Sequence, residues 1–88
     1  MDIPQKIRDE VLKRDSFDDW PCCIWCGQPG PGLHLHHVIK RSQGGKHTAD
    51  NLVSLCFKCH AALHDGDSQI QEYAEDYLRR HYDYLRNR

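Results

Sequence analysis

Two Cys-x-x-Cys pairs, Cys23 with Cys26 and Cys56 with Cys59, constrain this chain more than any other feature of its sequence. A chain of 88 residues buries too small an apolar core to be strongly stable without a further link. Four thiolates at this spacing predict a closed, tetrahedral zinc site of the structural type, whose binding free energy becomes folding free energy. The alternative is a set of reduced core cysteines without metal. Cys22 is a candidate substitute ligand, although the spacing favours Cys23.

The cysteines also bear on the compartment. The sequence shows no apolar signal segment and no apolar stretch long enough to cross a membrane. Inside the cell thiols stay reduced, and paired cysteines there more often bind metal than form disulfides. We therefore expect a cytoplasmic protein that does not act at a membrane.

Charge is distributed unevenly along the chain, although the net charge is only −1. The block from Trp20 to His64 carries +3, whereas the flanking segments together carry −4. A positive centre is compatible with a phosphate-binding face. Lys40, Arg41 and Lys46 are the candidate nucleic-acid contacts, and a merely solvated loop is the alternative for them.

The pattern of apolar residues predicts one small α+β domain over residues 1–88, stabilised by zinc. Residues 1–20 would hold an N-terminal helix and a connector, 21–65 the zinc-braced core, and 66–88 a C-terminal helix. The N-terminal helix either covers the core or presents its basic residues to a partner. The expected elements are a helix within Ile3–Asp15, a connector at Phe17–Pro21, turns at Gln28–Gly32, two antiparallel strands within Leu33–Ile39 and at Leu52–Leu55, a helix from Phe57, and a last helix from Ser68 that could run to Arg88.

The last helix carries a stripe of large side chains at three- and four-residue steps. Such a stripe is usually core or a partner surface, so a homodimer through this C-terminal helix is one expectation. Its members are Ile70, Tyr73, Tyr77, His81 and Tyr84, with Leu78 and Leu85 beside them.

Histidines form the second cluster of the sequence. His60 and His64 are four residues apart on a predicted helix and therefore share one face, which suits the chelation of one cation. His36 and His37 are adjacent and would point to opposite faces of a flat strand, so the strand must bend or end there if both serve one site. The 29 residues between the two cysteine pairs exceed the usual spacing of such zinc sites, which implies that a functional unit is inserted between the pairs.

These residues together resemble the HNH endonuclease family, in the branch whose ββα-metal (His-Me finger) unit is braced by two cysteine knuckles. The resemblance covers about Cys23 to His64 and leaves the flanking helices out. It rests on the two cysteine pairs and on His36-His37, Gly44-Gly45, Asn51-Leu52, the run from Leu55 to His60, and His64.

The resemblance implies a role for each matching position. His37 would be the general base that takes a proton from the attacking water. His36, His60 and His64 would hold a divalent ion that contacts the scissile phosphate and stabilises the departing 3′ oxygen. Asn51 would hold the loop that aims His37, or else is only a turn residue. Many members carry Asp where this chain has His36, so Mg²⁺, Mn²⁺, Ni²⁺ and Zn²⁺ are all open.

The sequence therefore predicts an HNH endonuclease that hydrolyses DNA phosphodiester bonds, with zinc at the cysteines and one catalytic divalent ion. A monomer would nick one DNA strand, whereas a dimer would cut both strands. The resemblance further implies a phage packaging or restriction partner. The rival hypotheses are a non-catalytic zinc module that binds nucleic acid or protein, and a toxin-like nuclease that acts on RNA. The remaining histidines are expected to be secondary: His34 at the surface or behind a ligand, and His47 and His81 incidental.

Overall fold

A computed structural model describes residues 3–87 of the chain. It shows a small α+β fold with two antiparallel two-stranded sheets among these residues, which confirms the predicted fold class. Short 3₁₀ helices lie at Arg41–Gln43, Ala49–Asn51 and Asp83–Asn87. The main elements are α1 (Gln5–Arg14), β1 (Ser16–Phe17), β2 (Trp20–Pro21), β3 (His34–His37), β4 (Leu52–Leu55), α2 (Phe57–His64) and α3 (Ser68–His81).

Helix α1 forms where the apolar spacing predicts it. It begins directly after Pro4, and Lys13 and Arg14 in its last turn complement the negative end of the helix dipole. Val11 is fully buried and packs with Ala49 and Leu52. The helix thus covers one side of the strand β4.

The segment predicted as a connector, Phe17–Pro21, instead forms part of a small hairpin. Ser16 pairs with Pro21 and Phe17 pairs with Trp20. Asp18 and Asp19 make the two-residue turn with φ values of 52° and 64°, the left-handed region that hairpin turns of this length require. Asp tolerates this region better than most residues because its short side chain can hydrogen-bond locally.

Strands β3 and β4 pair antiparallel, with His36 opposite Val53 and His37 opposite Leu52. All four residues of β4 are buried, so this strand runs through the middle of the core. β3, the long loop after it, β4 and α2 together form the ββα unit that the sequence predicts. β3 ends at His37, as the two adjacent histidines require.

Helix α3 closes the core from the other side of β4. Ile70, Ala74 and Leu78 recur at four-residue steps, are almost fully buried, and pack on Val53 and Leu55. The Asp67 carboxylate caps the helix by accepting a hydrogen bond from the Gln69 N–H at 3.0 Å. Much of the predicted apolar stripe therefore lies in the protein's own core.

The last helix is shorter than predicted. It ends at His81 because Tyr82 takes an extended conformation, with φ −129° and ψ 100°. The chain then folds back through the 3₁₀ helix, which brings Leu85 into the core at 7% exposure. Tyr82 packs against the cluster around Val11, and this contact replaces the helical continuation. The predicted end at Arg88 lies outside the described residues.

A buried carboxylate joins three elements. Asp15, at the end of α1, accepts hydrogen bonds from the Arg14 guanidinium at 2.7 and 2.9 Å and from the Tyr77 hydroxyl at 2.6 Å. The backbone N–H of Ser54 on β4 donates to it at 2.9 Å. Asp15 therefore ties α1, β4 and α3 together. Within residues 3–87 no helix has the length and apolar character needed to span a bilayer.

Candidate active site

The four predicted cysteine ligands lie together. Their Sγ atoms are all within 4.8 Å of one another, and those of Cys26 and Cys56 are 3.6 Å apart. Tetrahedral zinc with Zn–S bonds of about 2.3 Å places its sulfur atoms roughly 3.8 Å apart. Cys23 and Cys59 are buried, whereas Cys26 is exposed. The donor set and its size fit a structural zinc ion.

Two local features shape this cluster. Gly27 has φ 80° and donates its N–H to the Cys23 carbonyl at 3.0 Å, which closes the tight turn of the first knuckle. Burial works against a Cys56 thiolate, yet hydrogen bonds from the Cys59 N–H and the neighbouring thiols lower the pKa of Cys56 to about 7. Cys22 stands outside the group, with its Sγ 3.1 Å from the Trp20 carbonyl oxygen.

A second cluster consists of His36 on β3 and His60 and His64 on α2. One nitrogen of each ring lies within 4.8 Å of the others. The Nε2 atoms of His60 and His64 are 3.1 Å apart, and the His36 ring centre is 5.3 Å from that of His60. Three imidazoles with nitrogen atoms this close together form a donor set that suits a divalent cation of the transition-metal type.

The surroundings of His36 and His60 favour the form of the ring that binds metal. Burial, together with the smaller effects of the neighbouring His36, His64 and His34, lowers the pKa of His60 to about 4. Burial also lowers the pKa of His36. Both imidazoles are therefore neutral at physiological pH, with a lone pair available for coordination.

His37 shares a cavity of about 810 Å³ with the histidine cluster. It is half-buried, and its Nε2 lies 2.8 Å from Nδ1 of His47. Burial lowers the pKa of His37, and the nearby His47 and Arg41 act in the same direction. A neutral imidazole beside a set of metal-ligating nitrogens is chemically able to accept a proton from water.

Asn51 joins the ends of the loop between β3 and β4. Its side-chain oxygen accepts from the Ile39 N–H at 2.7 Å, and its amide group donates to the carbonyl oxygens of Ile39 at 3.1 Å and Lys46 at 3.0 Å. The Asn51 carbonyl accepts from the Val38 N–H at 2.9 Å. This buried amide thus fixes the backbone that follows His37.

The three basic residues predicted to contact nucleic acid are separated by the fold. All three are exposed, but only Lys40 and Arg41 line the cavity that holds the histidines. Lys46 lies farther along the loop, beside Gly44 and Gly45. Two of the three basic residues therefore lie at the cavity that holds the histidines.

Three further residues lie near the site, and two of them, Gln71 and His47, were not assigned to it from the sequence. Nδ1 of His34 lies 2.9 Å from Nδ1 of His60, so His34 stands behind a candidate ligand, which is one of the two positions expected for it, and alternation along β3 places it on the same face as His36. Gln71 on α3 places Oε1 3.3 Å from Nε2 of His36. His47 lies against His37. Gln71 and His47 have no local signal, since each reaches the site only through the tertiary fold.

The comparison with protein families adds one decisive observation. The family model described as HNH endonuclease matches residues 23–66, which is half of the chain. The chain belongs to the HNH endonuclease family. The matched segment holds every cysteine and histidine of the two clusters. In this HNH domain, however, Gln71, the Tyr77 hydroxyl and the whole of α1 come from outside the matched segment.

Three known proteins share parts of this HNH sequence. The type IV methyl-directed restriction enzyme EcoKMcrA of Escherichia coli (strain K12) is 56% identical over 34 residues, which are 39% of this chain and 12% of that protein. Probable mobile endonuclease C of Enterobacteria phage T4 is 49% identical over 37 residues, 42% of this chain and 18% of that protein. Anaredoxin of Nostoc sp. (strain PCC 7120) is 29% identical over 66 residues, 75% of this chain and 82% of that protein.

Proposed function

We propose that this chain is a metal-dependent endonuclease that hydrolyses DNA phosphodiester bonds and leaves a 5′ phosphate and a 3′ hydroxyl. The observation that carries the proposal is the single cavity shared by His37 and the three-imidazole cluster, with Lys40 and Arg41 among its lining residues. The two partial relatives with nuclease names support the same class of reaction. Because the chain spans only 12% and 18% of those proteins, their complete activities do not transfer to it.

His36, His60 and His64 would hold the catalytic divalent ion, which supplies charge stabilisation at the scissile phosphate and the departing 3′ oxygen. Three neutral nitrogen ligands favour Mn²⁺, Ni²⁺ or Zn²⁺ over Mg²⁺, which prefers oxygen ligands. Cys23, Cys26, Cys56 and Cys59 would hold the structural zinc.

His37 would accept the proton of the attacking water at one ring nitrogen. Its lowered pKa supports this role because the imidazole remains neutral and basic near pH 7. Asn51 would fix the loop backbone beside it through the three side-chain hydrogen bonds described above. Lys40 and Arg41 would bind phosphate oxygens, which positions the backbone without reading bases.

Within residues 3–87, one cluster of three histidines lies beside His37, and a single catalytic centre of this kind supports nicking by a monomer. Double-strand cleavage would need a second copy, for which the exposed Tyr84 and the outer face of α3 are the proposed contact. A phage packaging or restriction partner is proposed as the source of any sequence specificity, since phosphate contacts supply none.

The test uses supercoiled plasmid with Mg²⁺, Mn²⁺, Ni²⁺ or Zn²⁺ added singly, and compares the native protein with His37→Ala at equal zinc content. We expect nicked circles with the native protein and a loss of about 10²-fold to 10⁴-fold in rate with the variant. His81→Ala is the matched control, because His81 is exposed on α3 and hydrogen-bonds only the Tyr77 carbonyl in the described contacts. Equal rates for native and His37→Ala would refute the catalytic role.

The rival hypothesis, a zinc module that binds without cutting, predicts that native protein and His37→Ala are equally inert while both retain zinc and affinity for DNA. A parallel assay on single-stranded RNA distinguishes the toxin-like, RNA-directed nuclease from the DNA endonuclease. Faster cleavage of RNA than of duplex DNA would reassign the substrate class.

A further inference from the structure

His47 makes the closest side-chain contact of the proposed base. Its Nδ1 lies 2.8 Å from Nε2 of His37, with the ring centres 4.9 Å apart and the planes inclined at 59°. Within the described part of the chain, His47 is not among the residues that line the cavity, although His37 is. His37 therefore lines the cavity, and His47 contacts its ring without being part of that lining.

The direction of this contact follows from the tautomers of the two rings. A neutral imidazole carries one N–H and one bare nitrogen, and only the bare nitrogen can accept a proton. Nε2 of His37 is engaged by His47, so Nδ1 is the nitrogen left for water. Nδ1 is bare when the proton of His37 resides on Nε2 and is donated to Nδ1 of His47, which then carries its own proton on Nε2.

The backbone holds His47 from both sides. The Asn51 amide donates to the carbonyl of Lys46 at 3.0 Å, and the Asn51 N–H donates to the carbonyl of Thr48 at 2.9 Å. Gly45 adds a hydrogen bond from its N–H to the Lys40 carbonyl at 2.9 Å. Because its two neighbours in the chain are fixed by one buried residue, the His47 ring is held in place against His37.

We propose that His47 is a positioning residue, whose Nδ1 accepts the hydrogen bond from Nε2–H of His37 and thereby presents Nδ1 of His37 to the attacking water. This inference rests on the proposed nuclease function. In the reaction, the water O–H bond breaks and Nδ1 of His37 takes the proton. The water oxygen bonds to phosphorus while the P–O3′ bond breaks, and the departing 3′ oxygen takes a proton from solvent water. His37 then returns its proton to solvent, and His47 neither gains nor loses a proton. Asn51 would then help to orient His37 in two ways. It holds the backbone on either side of His47, and it holds the backbone that follows strand β3.

Three substitutions at one position separate this role from mere packing. An Asn side chain places an amide oxygen near the position of imidazole Nδ1, a Gln side chain places its polar atoms near Nε2, and Ala removes both. We expect kcat for plasmid nicking to fall about 10-fold to 100-fold in His47→Ala and His47→Gln, with KM changed less than about twofold. His47→Asn should retain activity within about threefold of the native rate. Equal losses in all three variants, or no loss in His47→Ala, would overturn the proposal.

A second readout does not depend on cleavage. Ring ¹⁵N spectra at about pH 8, where imidazoles are mostly neutral, report which nitrogen of His37 carries the proton, and His37→Ala identifies its signals. The zinc-loaded native protein should show the Nε2–H form, and His47→Ala should show a mixture of both tautomers. An unchanged His37 tautomer in His47→Ala would refute the hydrogen-bond role.

The two readouts also distinguish this inference from the proposed function. A native protein that nicks DNA at a rate unaffected by any His47 substitution overturns the inference and leaves the nuclease function standing. A native protein that shows the expected tautomers but cuts neither DNA nor RNA with any ion overturns the nuclease function and, with it, the positioning role.

Discussion

Removal of the Asp15 carboxylate is the sharpest test of how the flanking helices support the site. The Asp15 side chain is 0% exposed, and that of Arg14 is 10% exposed. Asp15→Ala removes the acceptor of the four hydrogen bonds from Arg14, Tyr77 and the Ser54 N–H. The guanidinium and the Ser54 N–H remain buried, and only part of their lost hydrogen bonding can be replaced.

The expected cost follows from the burial of this pair. Removing one partner of a buried ion pair costs about 3–5 kcal/mol. Arg14 keeps hydrogen bonds to the carbonyl oxygens of Ala49 at 2.7 Å and Leu52 at 2.6 Å, which favours the lower end, about 3 kcal/mol. Tyr77→Phe removes a single hydrogen bond to a charged group and should cost about 1.5–3 kcal/mol. Since small domains are stable by about 5–15 kcal/mol, Asp15→Ala leaves a folded but weakened protein.

Urea unfolding followed by tryptophan fluorescence measures both changes, with free zinc held equal because bound metal adds to apparent stability. Asp76→Ala is the matched control. Its carboxylate pairs with Arg80 at 3.1 Å in an exposed position on α3, and its loss should cost less than about 0.5 kcal/mol. A loss below about 1 kcal/mol in Asp15→Ala would show that the buried network does not stabilise the fold as argued.

Three other substitutions or conditions test the site. Cys26→Ser should lower the amount of bound zinc and abolish nicking even in excess divalent ion. The reason is that His60 directly follows Cys59, so loss of the zinc should also displace the histidine cluster. Nicking by protein shown to lack this zinc would contradict the dependence of the histidine cluster on the zinc site. Gly45→Ala would bring a Cβ into collision with the Ile39 carbonyl oxygen, so we expect a loss of about 1–3 kcal/mol by thermal unfolding and slower nicking; unchanged values would refute this. In protein freed of any ion at the histidine cluster, the free energy of unfolding should fall as the pH drops from about 6.5 towards 4. Residue 60 binds a proton in the unfolded chain over this range, whereas the pKa of His60 in the folded protein is lowered to about 4. An equal dependence of the unfolding free energy on pH in His60→Ala would contradict this.

The sequence predicted most of the ββα unit because its signals are local. The cysteine spacing indicates where the chain must turn, and the four-residue step from His60 to His64 indicates a helix face. The same reasoning placed strands within Leu33–Ile39 and at Leu52–Leu55, where the structure has them. These elements are specified by neighbours in the sequence.

The missed features depend on distant parts of the chain. Nothing local marks Tyr82 as a helix end, because the break is favoured by packing against α1 and by the burial of Leu85. The turn at Asp18 and Asp19 lacks the glycine that usually signals a two-residue hairpin. His47 looks like a loop residue until the fold brings it to His37. The helix end at Tyr82 and the position of His47 are thus set by tertiary contacts, which local sequence preferences do not reveal.

The pairing of β3 with β4 distinguishes two chemically identical neighbours. His36 faces His60 and His64, and His37 faces His47, because His36 lies opposite Val53 and His37 lies opposite Leu52. If β3 slipped by one residue, His37 would stand opposite Val53 and Val38 opposite Leu52. The slipped chain would still present three imidazoles to an ion, but it would have lost the proposed base. In this fold, a shift of one residue in strand register would separate the proposed nuclease from a protein that only binds metal.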